Sequence, residues 1–213
     1  MASLRVTEIF HSLQGESRTI GWPTVFVRLT GCPLRCVWCD TAYAFSGGSR
    51  KSIPDILDAV AGFEARHVCV TGGEPLAQPD CLLLLDALVE AGYEVSLETS
   101  GALDIAGVNP KVVKVMDLKP PGSGESAANR FENLAHLNPA DQIKFVIRDD
   151  ADYRWARDQV REHGLTARCE VLFSPVAGEQ DPADLAERIL HDRLDVRFQI
   201  QLHKYLWGDR TGV

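Results

Sequence analysis

Short runs of β-branched and aliphatic residues recur along this chain, separated by Gly, Pro or polar turns and often followed by segments with helical spacing. Because such side chains suit a pleated surface, the runs predict strands over residues 5–10, 24–30, 67–72, 94–99, 112–118, 142–147, 169–174 and 196–202. Apolar positions three and four apart predict helices over 53–65, 79–91, 151–163 and 182–191. Pro54, Pro79 and Pro182 each stand where a first helical turn has no use for the missing N–H.

Alternation of strand and helix predicts parallel βαβ units and an α/β fold. The interval between residues 99 and 112 is close to the shortest crossover a parallel pair allows, so a full helix does not fit there. The expected architecture is an incomplete, TIM-like barrel of parallel strands with some outer helices missing. With no linker, repeat or low-complexity stretch, residues 1–213 are expected to form a single domain. Polar or glycine-rich segments follow the strands: "TGC", "TGGEP", "ETSG", "DLKPPG", "RDD", "SPV" and "HKYLWG". In a parallel barrel those ends share one rim, where active sites sit.

Composition narrows the classes. Hydrophobic residues make up 45% of the 213, enough for one sizeable core. The net charge of -8 argues against a broad electrostatic grip on nucleic acid or an anionic membrane. No run approaches the ~18–20 apolar residues of a membrane span, and "MASLRVTEIF" has no apolar stretch of signal-peptide type. A cytoplasmic location is expected, where thiols stay reduced and six cysteines point to metal or catalytic chemistry before disulfides.

Three of the six, Cys32, Cys36 and Cys39, fall in "GCPLRCVWCD". Thiolates bind zinc or iron–sulfur clusters. Structural zinc closes with four protein ligands; a histidine would have to complete it, since no second CxxC exists. Cys69, Cys81 and Cys169 lie in predicted strands or a helix and read as small core residues. A cubane cluster held by three cysteines keeps one iron open to another ligand. An electron carrier of ferredoxin type would want a fourth cysteine in reach.

The C-x3-C-x2-C loop after one strand and "TGGEP" after the next resemble the radical S-adenosylmethionine (SAM) superfamily. That resemblance implies a [4Fe–4S] cluster on Cys32, Cys36 and Cys39 whose open iron takes SAM, which the reduced cluster cleaves to a 5′-deoxyadenosyl radical. It further implies SAM contacts from Gly72, Gly73 and Glu74, from Ser100, and from Asp117 and Lys119 in "DLKPP". Trp38 and Asp40 flank the last cysteine, with Trp38 beside adenine or shielding the cluster. Lys144 is costly inside a barrel strand without an anion partner, and strand alternation equally allows it to face solvent.

"EIFHSLQGES", "GCPLRCVWCDT" and the terminal "QLHKYLWG" resemble one family within it, the 7-carboxy-7-deazaguanine synthases. The resemblance implies a lyase that converts 6-carboxy-5,6,7,8-tetrahydropterin to 7-carboxy-7-deazaguanine with loss of ammonia, on the route to queuosine and related deazapurines. Hydrogen abstraction at C6 and ring contraction would be followed by return of a hydrogen atom from 5′-deoxyadenosine, which regenerates SAM, and a magnesium ion would orient the substrate. Also implied are a homodimer and a flavodoxin or ferredoxin-type reductant.

On this resemblance Leu13, Gln14, Gly15 and Glu16 face the pterin, with Thr71 and His203. Arg28 takes the substrate carboxylate, although its strand position alone equally allows an outward salt bridge. Thr41 supplies a hard oxygen to magnesium, and the carboxylate of Val213 can reach the mouth. "DLKPPGSGE" departs from the Ser-Pro-Lys form of many relatives, which leaves individual SAM contacts there open. A glycyl-radical-activating protein shares the loop and "TGGEP" but would consume SAM.

Overall fold

A computed structural model describes residues 2–213. Its nine strands are β1 (Ser3–Leu13), β2 (Pro23–Leu29), β3 (Ser49–Ser52), β4 (His67–Gly72), β5 (Glu94–Thr99), β6 (Val113–Asp117), β7 (Gln142–Ile147), β8 (Glu170–Pro175) and β9 (Arg197–Phe198). The helices are α1 (Ile53–Ala61), α2 (Cys81–Glu90), α3 (Asp150–Glu162), α4 (Pro182–Asp192) and α5 (Leu202–Trp207). All nine strands form one sheet in the order β3-β1-β2-β4-β5-β6-β7-β8-β9. Pairing is parallel from β2 to β9, and the two ends of the sheet do not meet. This is the expected partial barrel.

Alternation along each strand sorts the two faces. Val25, Val27, Leu29, Val68, Val70, Leu97, Ile143, Phe145 and Ile147 join one apolar core with Ile56, Leu84, Leu88, Ala156 and Leu185 of the helices. The intervening residues, among them Arg28, Thr71, Glu98 and Lys144, point to the opposite face and line a cavity. Helix starts follow local chemistry. Ser52 and Asp55 form a reciprocal capping box on α1, while Asp149 and Asp181 cap α3 and α4.

Several expectations are corrected. β1 runs antiparallel to β2, and β3, which has no apolar pattern to announce it, pairs antiparallel with the far side of β1. Pro79 lies ahead of the α2 N-cap, Asp80, because a 3-10 turn over Pro75–Ala77 delays the helix. The predicted strand over 196–202 shrinks to Arg197–Phe198, and Leu202 opens α5 instead. Its N–H bonds to the Gly15 carbonyl at 3.0 Å, which turns the chain across the cavity mouth. Between β5 and β6 there is no helix, as the short interval requires. No helix among the described residues is long and apolar enough to cross a membrane.

Candidate functional site

The cavity opens at the carboxyl ends of the parallel strands. Every site residue expected from the sequence lines it except Glu74. The end of β1 brings Leu13, the connection after it Gln14, Gly15 and Glu16, and β2 brings Arg28. The loop after β2 brings Cys32, Cys36, Trp38, Cys39, Asp40 and Thr41. Thr71, Gly72, Gly73, Ser100, Asp117, Lys119 and Lys144 come from β4 to β7, and His203 and Val213 from the C-terminal segment.

The cysteine loop is held by backbone. The Glu74 N–H donates to the Gly31 carbonyl at 2.8 Å, Val37 N–H to Ser123 at 3.0 Å and Cys39 N–H to Cys36 at 3.2 Å. Arg35 Nη1 ties down the Cys32 and Leu34 carbonyls at 2.8 and 2.6 Å. Gly73 is required here, because a Cβ would stand 2.6 Å from Cys32 Cβ. Burial pushes the Cys32 and Cys36 thiols up against the pull of Lys119; bound metal cations would reverse that.

The donor set fits a cluster: three half-buried thiols, all facing the cavity, with Cys69, Cys81 and Cys169 buried elsewhere in the fold. Among the described residues no three His, Cys, Asp or Glu side chains gather closely enough for one metal ion.

A charged chain crosses the floor. Lys144 faces inward, with Nζ 2.5 Å from Glu16 Oε2 and 3.4 Å from Asp117 Oδ1. Lys119 Nζ donates to Asp117 Oδ2 at 2.5 Å. Burial alone would lower the Lys144 pKa, but Asp117, Glu16 and Glu98 outweigh it and hold the ammonium well above its ordinary range. Asp117 is likewise held below the usual carboxylate range by Lys119 and Lys144, against its burial.

Two residues that sequence reasoning passed over belong to this site. Glu98 accepts from Thr71 Oγ1 at 3.1 Å and Gln14 Nε2 at 3.3 Å. Burial, abetted by Glu16 and Asp117, pushes its carboxyl up against the opposing pull of Lys144. The available signal was parity, since Glu98 shares a strand face with the half-buried Ser96, opposite Val95 and Leu97. Gln201 Nε2 donates to Glu16 Oε1 at 2.8 Å and had no such signal.

Glu74 does not line the cavity. Fully buried, it accepts from Thr99 Oγ1, the Leu76 N–H, and both the N–H and hydroxyl of Ser100, at 2.5–3.0 Å. It fixes Thr99 and Ser100, which do line the cavity. Arg28 points inward, its Nε donating to Glu8 Oε1 at 2.7 Å. The Thr41 hydroxyl donates to Asp40 at 2.8 Å, and His203 Nε2 stands 3.9 Å from the same carboxylate. The Trp38 ring lies under the Arg148 guanidinium, 5.6 Å from its centroid.

The sequence profile of the Radical SAM superfamily matches residues 26–117, from β2 to the end of β6. A Koribacter versatilis protein named 7-carboxy-7-deazaguanine synthase is 45% identical over 98% of this chain and 99% of its own. A Thermoplasma acidophilum protein of the same name is 38% identical, covering 98% and 99%. Among solved structures, Escherichia coli QueE superposes with a TM-score of 0.72 at 25% identity, over 94% of this chain and 95% of that one. Streptococcus suis SuiB bound to S-adenosylmethionine shares the fold, with a TM-score of 0.60 at 17% identity, over 84% of this chain and 50% of that one.

Proposed function

This chain belongs to the 7-carboxy-7-deazaguanine synthase family of radical SAM enzymes, and from that premise we propose how its cavity handles a carboxylated pterin. Membership implies a [4Fe–4S] cluster and SAM. Cys32, Cys36 and Cys39 would hold the cluster, and Gly72, Gly73, Ser100, Asp117, Lys119 and Lys144 would frame SAM, with Trp38 and Asp40 beside them. When bound, the pair supplies the hydrogen-abstracting radical.

The chain's own residues bind and orient the substrate, 6-carboxy-5,6,7,8-tetrahydropterin. Arg28 carries the carboxylate, because its Nη groups make no hydrogen bond among the described residues. The pterin's amide and amino edge needs acceptors and donors together, which Gln14, Glu16, Thr71 and Glu98 provide. Leu13 and Gly15 shape that wall. His203 and the Val213 end close the mouth, and Thr41 offers its oxygen to a magnesium ion shared with the substrate. The carrying observation is the placement of Arg28 and the Gln14–Thr71–Glu98 set in the same cavity as all three loop cysteines.

We further propose that the chain works as one domain, with residues 14–16 as its substrate segment and the C-terminal tail as a cover. A homodimer in the cytoplasm, reduced by a flavodoxin or ferredoxin-type protein, completes the reading.

Anaerobic turnover with 6-carboxytetrahydropterin, SAM and magnesium, followed by mass spectrometry, tests it. The expected product is 7-carboxy-7-deazaguanine, with deuterium from the substrate's C6 passing into SAM over many turnovers. One 5′-deoxyadenosine released per product would instead mean that SAM is consumed.

A further inference from the structure

β1 does not run regularly beside β2. Val6 pairs with Leu29 and Glu8 with Arg28, so two steps along β1 answer one along β2 and Thr7 is the extra residue of a bulge. Bulges re-aim side chains and cluster beside active sites. Here the bulge sets Glu8 directly against Arg28. One oxygen, Glu8 Oε1, accepts from Arg28 Nε and from the Tyr43 hydroxyl, each at 2.7 Å. Tyr43 lies just beyond Thr41, in the 3-10 turn that ends the cysteine loop. The rings of Phe10 and Tyr43 flank the guanidinium, 5.6 and 5.8 Å from its carbon. Phe10 in turn stacks on Phe26 at 5.0 Å, which fixes the wall behind it.

A guanidinium is a rigid planar fork. With Nε engaged by Glu8 and rings on its flanks, the edge that remains for a ligand is the one carrying Nη1 and Nη2. That edge suits a carboxylate taken bidentately. Glu8 partly cancels the positive charge, so its contribution to anion binding cannot be electrostatic; what it supplies is orientation. The Tyr43 hydroxyl, donating to the same oxygen, holds the Glu8 carboxylate in place against Arg28 Nε.

We propose that Glu8 and Tyr43 are positioning residues that aim Arg28, and thereby make the site selective for a heterocycle bearing a carboxylate. The inference rests on the assignment of Arg28 to the substrate carboxylate above.

Anaerobic calorimetry on cluster-loaded protein, with iron and sulfide content matched between variants, reads the role as a dissociation constant. Two ligands are compared: 6-carboxytetrahydropterin and tetrahydropterin without the carboxylate. Glu8→Ala and Tyr43→Phe are expected to weaken the carboxylated ligand about tenfold while moving the other by less than about twofold. Glu8→Gln, which keeps an acceptor oxygen, should retain most of the affinity. Added to Arg28→Ala, the Glu8→Ala change should cost nothing more. Should Glu8→Ala fail to fold, Tyr43→Phe carries the same expectation.

If Glu8→Ala and Glu8→Gln both tighten the carboxylated ligand, Glu8 is only a competing anion and the proposal falls. It falls too if Glu8→Ala weakens binding further in the Arg28→Ala background. Selective loss in Arg28→Ala with unchanged selectivity in Glu8→Ala and Tyr43→Phe removes the positioning role alone. Equal loss of both ligands in Arg28→Ala overturns the assignment of Arg28 itself.

Discussion

Glu98 carries the cavity's least comfortable charge. It is a carboxyl enclosed in the barrel with Glu16 and Asp117 nearby, and Lys144 offsets these only in part. Its pKa lies above the ordinary 4.5, whereas that of Asp117 lies below 3.8. The two have opposite consequences for stability. Asp117 contributes above its unfolded pKa, and that contribution is lost as pH falls through the lower folded value. For Glu98 the fold favours the protonated form, so its contribution is full below about 4.5 and is lost as pH rises through the raised folded value. Glu98→Gln mimics the protonated form. Denaturant unfolding should find the variant more stable than the parent at neutral pH, with the gap closing as pH drops below 4.5. A gap that stays constant with pH would show that Glu98 titrates normally. Substrate affinity should fall in the same variant, because an acceptor has become a donor.

At the scale of elements, the strand–loop junctions decide the site, and they were legible to different degrees. Every parallel strand from β2 to β8 and the four longer helices could be read from apolar spacing, since each buries one regular stripe. β3, α5 and the direction of β1 could not. "SRKS" has no apolar stripe, and α5 has no buried residue. Direction depends on a connection crossing the sheet, which periodicity does not encode. The cavity residues were legible where a motif marked them. Glu8 was hidden because a bulge shifts its parity. The "TGGEP" junction was visible, but its carboxylate serves Ser100. Its second glycine matters most mechanically. Gly73→Ala would push a methyl against the Gly31 carbonyl and to 2.6 Å from Cys32 Cβ, contacts that only a shift of the cysteine loop can relieve. We expect a folded protein with well under half the parent's iron and sulfide after anaerobic reconstitution. Full iron uptake would show that the loop yields without cost.

For the molecule as a whole, the open sheet poses the question of what closes its unpaired side. The β1–β2 connection does so with side chains and backbone rather than with a strand. Arg18 N–H donates to Gln142 Oε1 at 2.7 Å on β7, its guanidinium reaches Glu170 on β8 at 3.1 Å, and Gln199 Nε2 donates to the Ser17 carbonyl at 2.8 Å. The C-terminal segment is then laid over this strap through Leu202 N–H to Gly15 and Gln201 to Glu16. Substrate wall and cover thus share one point of contact, and Gly15 sits on it. A Cβ there would fall inside contact distance of His203 Nδ1. Gly15→Ala should therefore lift α5 without disturbing the cysteine loop. Hydrogen exchange over residues 201–213 is expected to rise at least about tenfold, a loss of roughly 1.4 kcal/mol in local protection. Substrate affinity should weaken while iron content stays at the parental level. If exchange in the tail and substrate affinity both remain as in the parent, the cover does not depend on the close approach at Gly15, and His203 is free to settle elsewhere over the mouth.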